Sequence, residues 1–374
     1  ARKLNIDPMD IRIQNMSHPF DIDAATGVSL GSCKAIECIN IGAEKFGWKE
    51  RFKQNGSGGR FRKGTGLACS AHNNGMYSTS DLSTMTIRMN EDGSVQMETS
   101  LHEVGCGTLR SMQIIAAEVL QIEPDKIYVT EGDTKYSPYD LGSYGSRVTY
   151  VSGRCAYDAA VALKELIVDA AASFISVEKA KICLSEGTAY NIDNKDQYMS
   201  YADIALKLLM EEKIELIKTV SFNSISNPAS YSANFTEVEV DTMTGLVSVK
   251  EFLSVNDIGQ ALNRGMVYRQ VQGAVQMALG YGLREEIEYD SKGYPVTTSL
   301  KKYHPFNCAD MPRVETILIE DHFGDGPFGA KGVGESATIA GAAAVVNAVN
   351  NALGTAMTEL PLTPEKILKA IADL

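Results

Sequence analysis

The sequence predicts an α+β fold of mixed sheets with packed helices. Three observations lead there: stretches of alternating apolar residues cluster along the chain, apolar residues at helical spacing recur between them, and the two patterns mix without a regular βαβ beat. Residues 7 to 16 and 31 to 47 read as helices, the second from the spacing of Ile36, Ile39, Ala43 and Phe46. NGSGGRFRKGTG, 55 to 66, reads as a loop rich in Gly and basic residues. GLACSAH, MTIRMN and VQMETS alternate as strands, with EDGS as the turn between the last two. A helix over 109 to 121 places Leu109, Met112, Ala116 and Val119 on one face; the strand KIYVTEG follows, and a helix runs from about 150 to 172. TEVEVD and LVSVKEFLSVND flank Thr244-Gly245 as a hairpin. A helix near 262 to 280, a strand pair near 284 to 298, and helices near 338 to 352 and 364 to 373 complete the chain. Residues 1 to 62 are expected to form a helical segment and linker, and 63 to 374 an α+β module of two lobes with a boundary near 185 to 230.

Composition narrows the function. Hydrophobic residues at 44% and charged residues at 22% are ordinary for a soluble globular protein. A net charge of -12 argues against a nucleic-acid or anionic-membrane partner, since both need a cationic footprint. Any anion site must therefore be local. No run of about 18 uninterrupted apolar residues suggests a transmembrane helix, and ARKLNIDPMD lacks an apolar signal core. The seven cysteines follow no metal or disulfide spacing, so a cytoplasmic chain with reduced thiols and no cluster of its own is expected.

Three glycine-containing turns each run into an apolar helix, where free amides and the helix dipole favour an anion. HEVGCGT, 102 to 108, holds Gly105, Cys106, Gly107 and Thr108. LGSYGSRVT, 141 to 149, follows Gly145 with Ser146, Arg147 and Thr149, which add hydroxyls and a guanidinium fork suited to phosphate. GAKGVGES, 329 to 336, carries Lys331, Gly332 and Gly334 ahead of Glu335. Glu335 has two readings: a first-turn carboxylate stabilised by the helix dipole by about 0.3–1 kcal/mol, or a general base reached by substrate past the glycines. Gln270 lies between Val267, Val271 and Ala274 on its helix, either solvated or turned to a ligand. His102 and Cys106 lack the partners a metal site needs and read as structural.

Several long motifs, in order, resemble the molybdenum-binding subunit of the xanthine dehydrogenase and aldehyde oxidase family. They are KLNIDPMDIRIQNM, HEVGCGTLRSMQIIAAEVLQI, GSYGSRVTYVSGRCA, TEVEVDTMTGLVSV, NDIGQALNRGMVYRQVQGAVQMALGYGLREE, MPRVETILIED and GPFGAKGVGESA, spanning essentially the whole chain. The resemblance implies a molybdopterin-binding module in which Glu335, after Lys331 and Gly334, deprotonates the hydroxyl that attacks an electron-poor carbon. It also implies that Gly105 to Gly107, then Gly145, Ser146, Arg147 and Thr149, and Gln270, contact the pterin cofactor, in bacterial members usually its cytosine dinucleotide form. Cys106 stands where many members have glutamine, and a thiol cannot reproduce an amide's donor and acceptor pair.

The family's earlier half, with its Gly-Gly-Phe-Gly and Arg-Gly-Phe/Tyr-Gly turns, does not appear in this sequence. The resemblance therefore implies the other half of the molybdenum subunit, either as a partner chain, as in the divided nicotinate dehydrogenase, or as the rest of a longer chain of which this is a fragment, together with an iron-sulfur subunit with 2Fe-2S clusters and an FAD subunit. A nitrogen heterocycle such as a purine or pyridine is the expected substrate. An aldehyde-oxidising member, a non-catalytic cofactor scaffold and a nucleotide-binding regulatory module are the rival readings.

Overall fold

The computed structural model describes residues 1–53, 58–76 and 80–374. In chain order the elements begin with α1 (Pro8–Asn15), α2 (Ala35–Phe46), α3 (Trp48–Lys53), β1 (Phe61–Asn73), β2 (Leu82–Met89), β3 (Val95–Glu98), α4 (Thr108–Leu120) and β4 (Ile127–Thr130). Next come a π-helical turn (Val148–Ser152), α5 (Gly153–Phe174), β5 (Ile182–Ser185), β6 (Thr188–Asn191), β7 (Asn194–Ser200), α6 (Tyr201–Lys207), β8 (Ile217–Asn223), β9 (Ala229–Asp241) and β10 (Val247–Asp257). The chain closes with α7 (Arg264–Leu283), α8 (Leu300–Tyr303), β11 (Arg313–Ile319), α9 (Ser336–Ile339), α10 (Gly341–Leu353) and α11 (Pro364–Ala372). Strands and helices mix as the α+β expectation requires.

The chain divides into two compact units, each discontinuous in sequence. One comprises Ala1–His72, Ala229–Asp321 and Val333–Leu374; the other comprises Asn73–Pro228 and His322–Gly332.

The first unit is built on the sheet β1-β9-β10-β11, in which β9 and β10 are antiparallel and β10 and β11 parallel. Alternation sends side chains to opposite faces. Phe235, Leu253 and Val255 pack with Ile39, Phe46 and Trp48 on the side of α1 to α3. Val238, Val240 and Phe252 pack with Val271, Val275, Val345 and Val349 on the side of α7 and α10. Asp7 caps α1 by accepting from Met9 N at 2.7 Å, and it also accepts from Trp48 Nε1 at 3.1 Å, tying the first helices together.

Two expectations need correction in this unit. Of the loop expected over 55 to 66, residues 55–57 lie outside the described residues, and Phe61 already begins β1. Gly64 and Gly66 are strand residues: a Cβ on either would meet the α10 backbone, at Ala348 O and Ala344 O respectively. On this edge strand the Thr65 amide donates to Asn351 Oδ1 at 3.0 Å, and Asn347 Nδ2 donates to Leu67 O at 3.0 Å. The strand pair expected over 284 to 298 is only a single bridge, Tyr289 to Pro295, closed by a Gly293 turn; a proline has no amide to extend a ladder.

The second unit carries the sheet β4-β3-β2-β8 and the small sheet β5-β6-β7. Helices α4 and α5 pack on each other, and α5 lies on β2 and β8. Met85, Ile87, Val95, Met97, Met112, Ile115 and Leu163 are buried here. Among the described residues no helix is long and apolar enough to cross a membrane, and all seven cysteines are free.

Candidate cofactor and catalytic site

In the first unit the sheet face beneath α10 changes character along β9 and β10. Beyond Thr236 and Phe252 the same face carries Ser232, Asn234, Ser254 and Asn256, all buried, with Asn234 opposite Ser254 and Ser232 opposite Asn256. Buried polar groups need partners. Ser254 Oγ donates to Asn234 Oδ1 at 2.7 Å and Asn256 Nδ2 to Ser254 Oγ at 3.0 Å. The remaining donors reach α9: Ser232 Oγ to Ser336 O at 2.9 Å, Ser70 Oγ to the same carbonyl at 2.7 Å, and Asn234 Nδ2 to Ala337 O at 3.4 Å. The sheet thus fixes the backbone of the turn after Glu335.

Glu335 itself is the residue before α9, with φ -91° and no side-chain capping bond. Its side chain is 49% exposed, with Oε2 3.5 Å from His72 Nε2. A bound backbone under an accessible carboxylate suits proton transfer, which needs a fixed origin and an open path. Gly334 is exposed beside it, and Gln270 is half-buried on α7, the helix that packs against α9.

In the second unit the structure brings two of the glycine segments together. Gly332 N donates to Asn74 Oδ1 at 2.6 Å, and a Cβ on Gly332 would meet that same oxygen and Ser146 O. Gly75 N donates to Gly145 O at 3.1 Å, so the 74–75, 145–146 and 331–332 segments form one layer. Lys331 is buried.

The remaining sequence-derived residues need two corrections. First, the amides of the 105–107 turn already have an anion: Glu103 Oε1 accepts from Gly105 N at 2.9 Å and from Gly107 N at 2.8 Å, and Oε2 from Leu109 N at 3.4 Å. Second, the Arg147 guanidinium is no open phosphate fork. It is fully buried, with Nε 2.5 Å from Asp81 Oδ1 and Nη1 2.9 Å from Asp140 Oδ1, while Nη2 donates to Leu82 O at 3.2 Å. Thr108 is buried with Oγ1 3.0 Å from Cys106 Sγ, and Thr149 is half-buried within the π-helical turn.

What stays open in these turns is backbone. Gly105, Gly145 and Ser146 have positive φ (97°, 54° and 51°), and among the described residues nothing lies within 4 Å of a Cβ on either glycine. Such backbone lets a phosphate-bearing group come close, so the residues fit a pterin cofactor through main chain and hydroxyls rather than through the guanidinium.

Glu103, Asn74, Asp81, Asp140 and His72 were missed by sequence reasoning. Glu103 had a local signal, a carboxylate two and four residues before turn glycines, as in an Asx-like turn. Asp140 lies only seven residues before Arg147, next to the 141–149 turn, whereas Asn74, Asp81 and His72 act across long sequence separations and had no local signal.

Residues 41–312 match the family model for the molybdopterin cofactor-binding domain. The chain belongs to that family. The matched span includes the 105–108 and 145–149 turns and Gln270, whereas Glu335 lies beyond it. Among curated relatives, the xanthine dehydrogenase molybdenum-binding subunit of Escherichia coli O157:H7 is 29% identical, over 98% of this chain and 50% of its own length. The aldehyde oxidoreductase molybdenum-binding subunit of Escherichia coli strain K12 is 31% identical, over 100% of this chain and 50% of its own length. The crystal structure of quinoline 2-oxidoreductase from Pseudomonas putida 86 superposes with a TM-score of 0.92 at 25% identity, over 100% of this chain and 50% of that one. The chain spans about half the length of the relatives it matches. The family is that of the molybdenum-dependent xanthine dehydrogenases and aldehyde oxidoreductases, and its members are oxidoreductases.

Proposed function

We propose that this chain supplies one half of the active site of a molybdenum hydroxylase, with Glu335 as its general base. The observation that carries this reading is the contrast within one turn: the Ser336 carbonyl takes two serine hydroxyls from the sheet, while the adjacent Glu335 carboxylate is 49% exposed. Glu335 makes no side-chain capping bond, so its carboxylate is not spent on the first amides of α9.

The reaction is R–H plus water giving R–OH, two protons and two electrons. When bound, the molybdopterin cofactor, in its cytosine dinucleotide form, accepts the electron pair. Glu335 takes a proton from the attacking oxygen, its position set by Ser70 and Ser232 through the Ser336 carbonyl. Main chain at Gly145–Thr149 and Lys331–Gly334 would hold the cofactor's polar periphery, with Gln270 offering its amide, while the Gly105–Thr108 turn, its Gly105 and Gly107 amides held by Glu103, would offer close approach and the Cys106 and Thr108 side chains. The substrate is a nitrogen heterocycle, purine or pyridine, whose ring nitrogen makes the neighbouring carbon electron-poor; an aldehyde is the second reading, supported by the aldehyde oxidoreductase relative. The rest of the molybdenum subunit completes the site, with a 2Fe-2S subunit and an FAD subunit as partners in the cytoplasm.

The test is Glu335→Gln in the purified assembly, with molybdenum and cytidine nucleotide quantified alongside turnover of xanthine, nicotinate and benzaldehyde. Loss of the base should lower kcat on the order of 10²-fold or more at unchanged molybdenum content. Unchanged turnover would leave this chain a scaffold, and nucleotide without molybdenum would make it a regulatory module.

A further inference from the structure

We infer that His72 is a positioning residue that holds the Glu335 carboxylate in the orientation used for proton transfer, an inference that rests on Glu335 being the base. The placement begins with the strand. His72 is the next-to-last residue of β1, and side chains two apart on a strand share a face. Ser70 and His72 therefore both point toward α9. Ser70 Oγ bonds the Ser336 carbonyl at 2.7 Å, and His72 Nε2 stands 3.5 Å from Glu335 Oε2. One strand grips the turn twice, by its backbone and by its acidic side chain.

The ring's other nitrogen sharpens the assignment. Among the described residues His72 Nδ1 is buried and has no hydrogen-bond partner, so the polar contact of this imidazole is directed at Glu335. A histidine placed only for packing would satisfy its buried nitrogen or leave it to solvent. A contact of 3.5 Å is loose, as catalytic contacts often are without bound substrate and cofactor, and it shortens with a small rotation of either side chain. Facing an ionised carboxylate, the imidazole presents a proton on Nε2, because a lone pair there would meet the carboxylate's own lone pairs. Glutamate has three side-chain torsions, and at this exposed position the imidazole restricts which oxygen is presented and at what angle. Geometry of that kind governs the chemical step more than substrate binding.

Two measurements test this. In the cofactor-loaded assembly, His72→Leu should lower kcat about 10-fold, an order-of-magnitude expectation for misoriented reacting groups, with KM and molybdenum content unchanged. His72→Gln, whose amide donor reaches close to the Nε2 position, should recover most of the loss. In a Glu335→Gln background His72→Leu should change the residual rate by less than about twofold, since the two residues act as a unit. Equal losses for the Leu and Gln variants, or an undiminished His72→Leu penalty without Glu335, would overturn the assignment. The second measurement needs no turnover: ¹⁵N resonances of the wild-type protein should show His72 Nε2 protonated, and a bare Nε2 would sink the inference even where His72→Leu fails to fold. If Glu335→Gln alone leaves kcat intact, the base reading fails first, and the ¹⁵N result still reports on the His72–Glu335 contact separately.

Discussion

Glu103 and Glu335 look alike in sequence, each a carboxylate at a glycine-containing turn ahead of a helix, yet the fold uses them oppositely. Around Glu103 the left-handed Gly105 and Gly107 (φ 97° and 76°) curl their amides onto its Oε1 at 2.9 and 2.8 Å. Glu335 has helical φ, makes no capping bond, and leaves its carboxylate at an accessible surface beside His72. A glycine turn is open to an outside anion only if no acid in the same loop has already folded into it. The neighbouring 145–147 turn repeats the point with the signs reversed, since Asp81 and Asp140 take the guanidinium that sequence alone offered to phosphate. In these turns the second unit neutralises its charges internally, whereas the Glu335 turn of the first displays one.

The strongest way to break this contrast is Arg147→Met. It strands two buried carboxylates, and should cost about 3–5 kcal/mol of stability in urea unfolding; a loss below about 1 kcal/mol would mean that the guanidinium serves something other than the fold. Next in size, Glu335→Gln should cost on the order of 10²-fold in kcat, about 2.7 kcal/mol of barrier, while the melting temperature stays put. A fall in melting temperature with normal turnover would instead place Glu335 in the same capping role as Glu103. Glu103→Ala should destabilise by about 1 kcal/mol through loss of the acid that satisfies α4's first amides. Inorganic phosphate should then raise the variant's melting temperature and leave the wild type unmoved.

The smallest effect concerns two thiols whose protonation is governed by desolvation. Burial pushes the Cys155 thiol up to about 12 and the Cys69 thiol up to about 11 from 9.0. Both stay protonated in the fold at pH values where unfolded thiols ionise, so the unfolded state binds fewer protons in that range. Stability is therefore fully present below pH 9 and falls as the pH rises toward 11 to 12. Replacing Cys155 by Ala should flatten that decline, read as unfolding midpoint against pH. It should leave the contrast between Glu103 and Glu335 untouched.

Much of this protein was legible without a structure. Periodicity placed α4, α5, α7 and the β9–β10 hairpin within a few residues, because an amphipathic helix or a two-faced strand writes its period into the chain. The family was likewise readable, since ordered motifs depend only on residue identity. The failures share one cause. Gly64 and Gly66 read as loop formers but lie in a strand, because the helix that needs their missing side chains comes from residues 341–353. The interleaving of the two units, with changes at 72/73, 228/229, 321/322 and 332/333, has no local signature.

The candidate site divides along the same line. Residue types and turn chemistry are local, so the sequence alone singled out Glu335 and the glycine turns that carry open, positive-φ backbone. Which charges remain available is decided by partners distant in the chain. Asp81 takes Arg147, Ser70 and Ser232 hold the Ser336 carbonyl, and His72 meets Glu335 only because α9 packs on the sheet that β1 edges. Electrostatic and hydrogen-bonding energies act over a few ångströms of space regardless of sequence separation. The sequence therefore determined the candidate groups and the fold class, and the tertiary structure decided which of those groups are neutralised and which stand exposed.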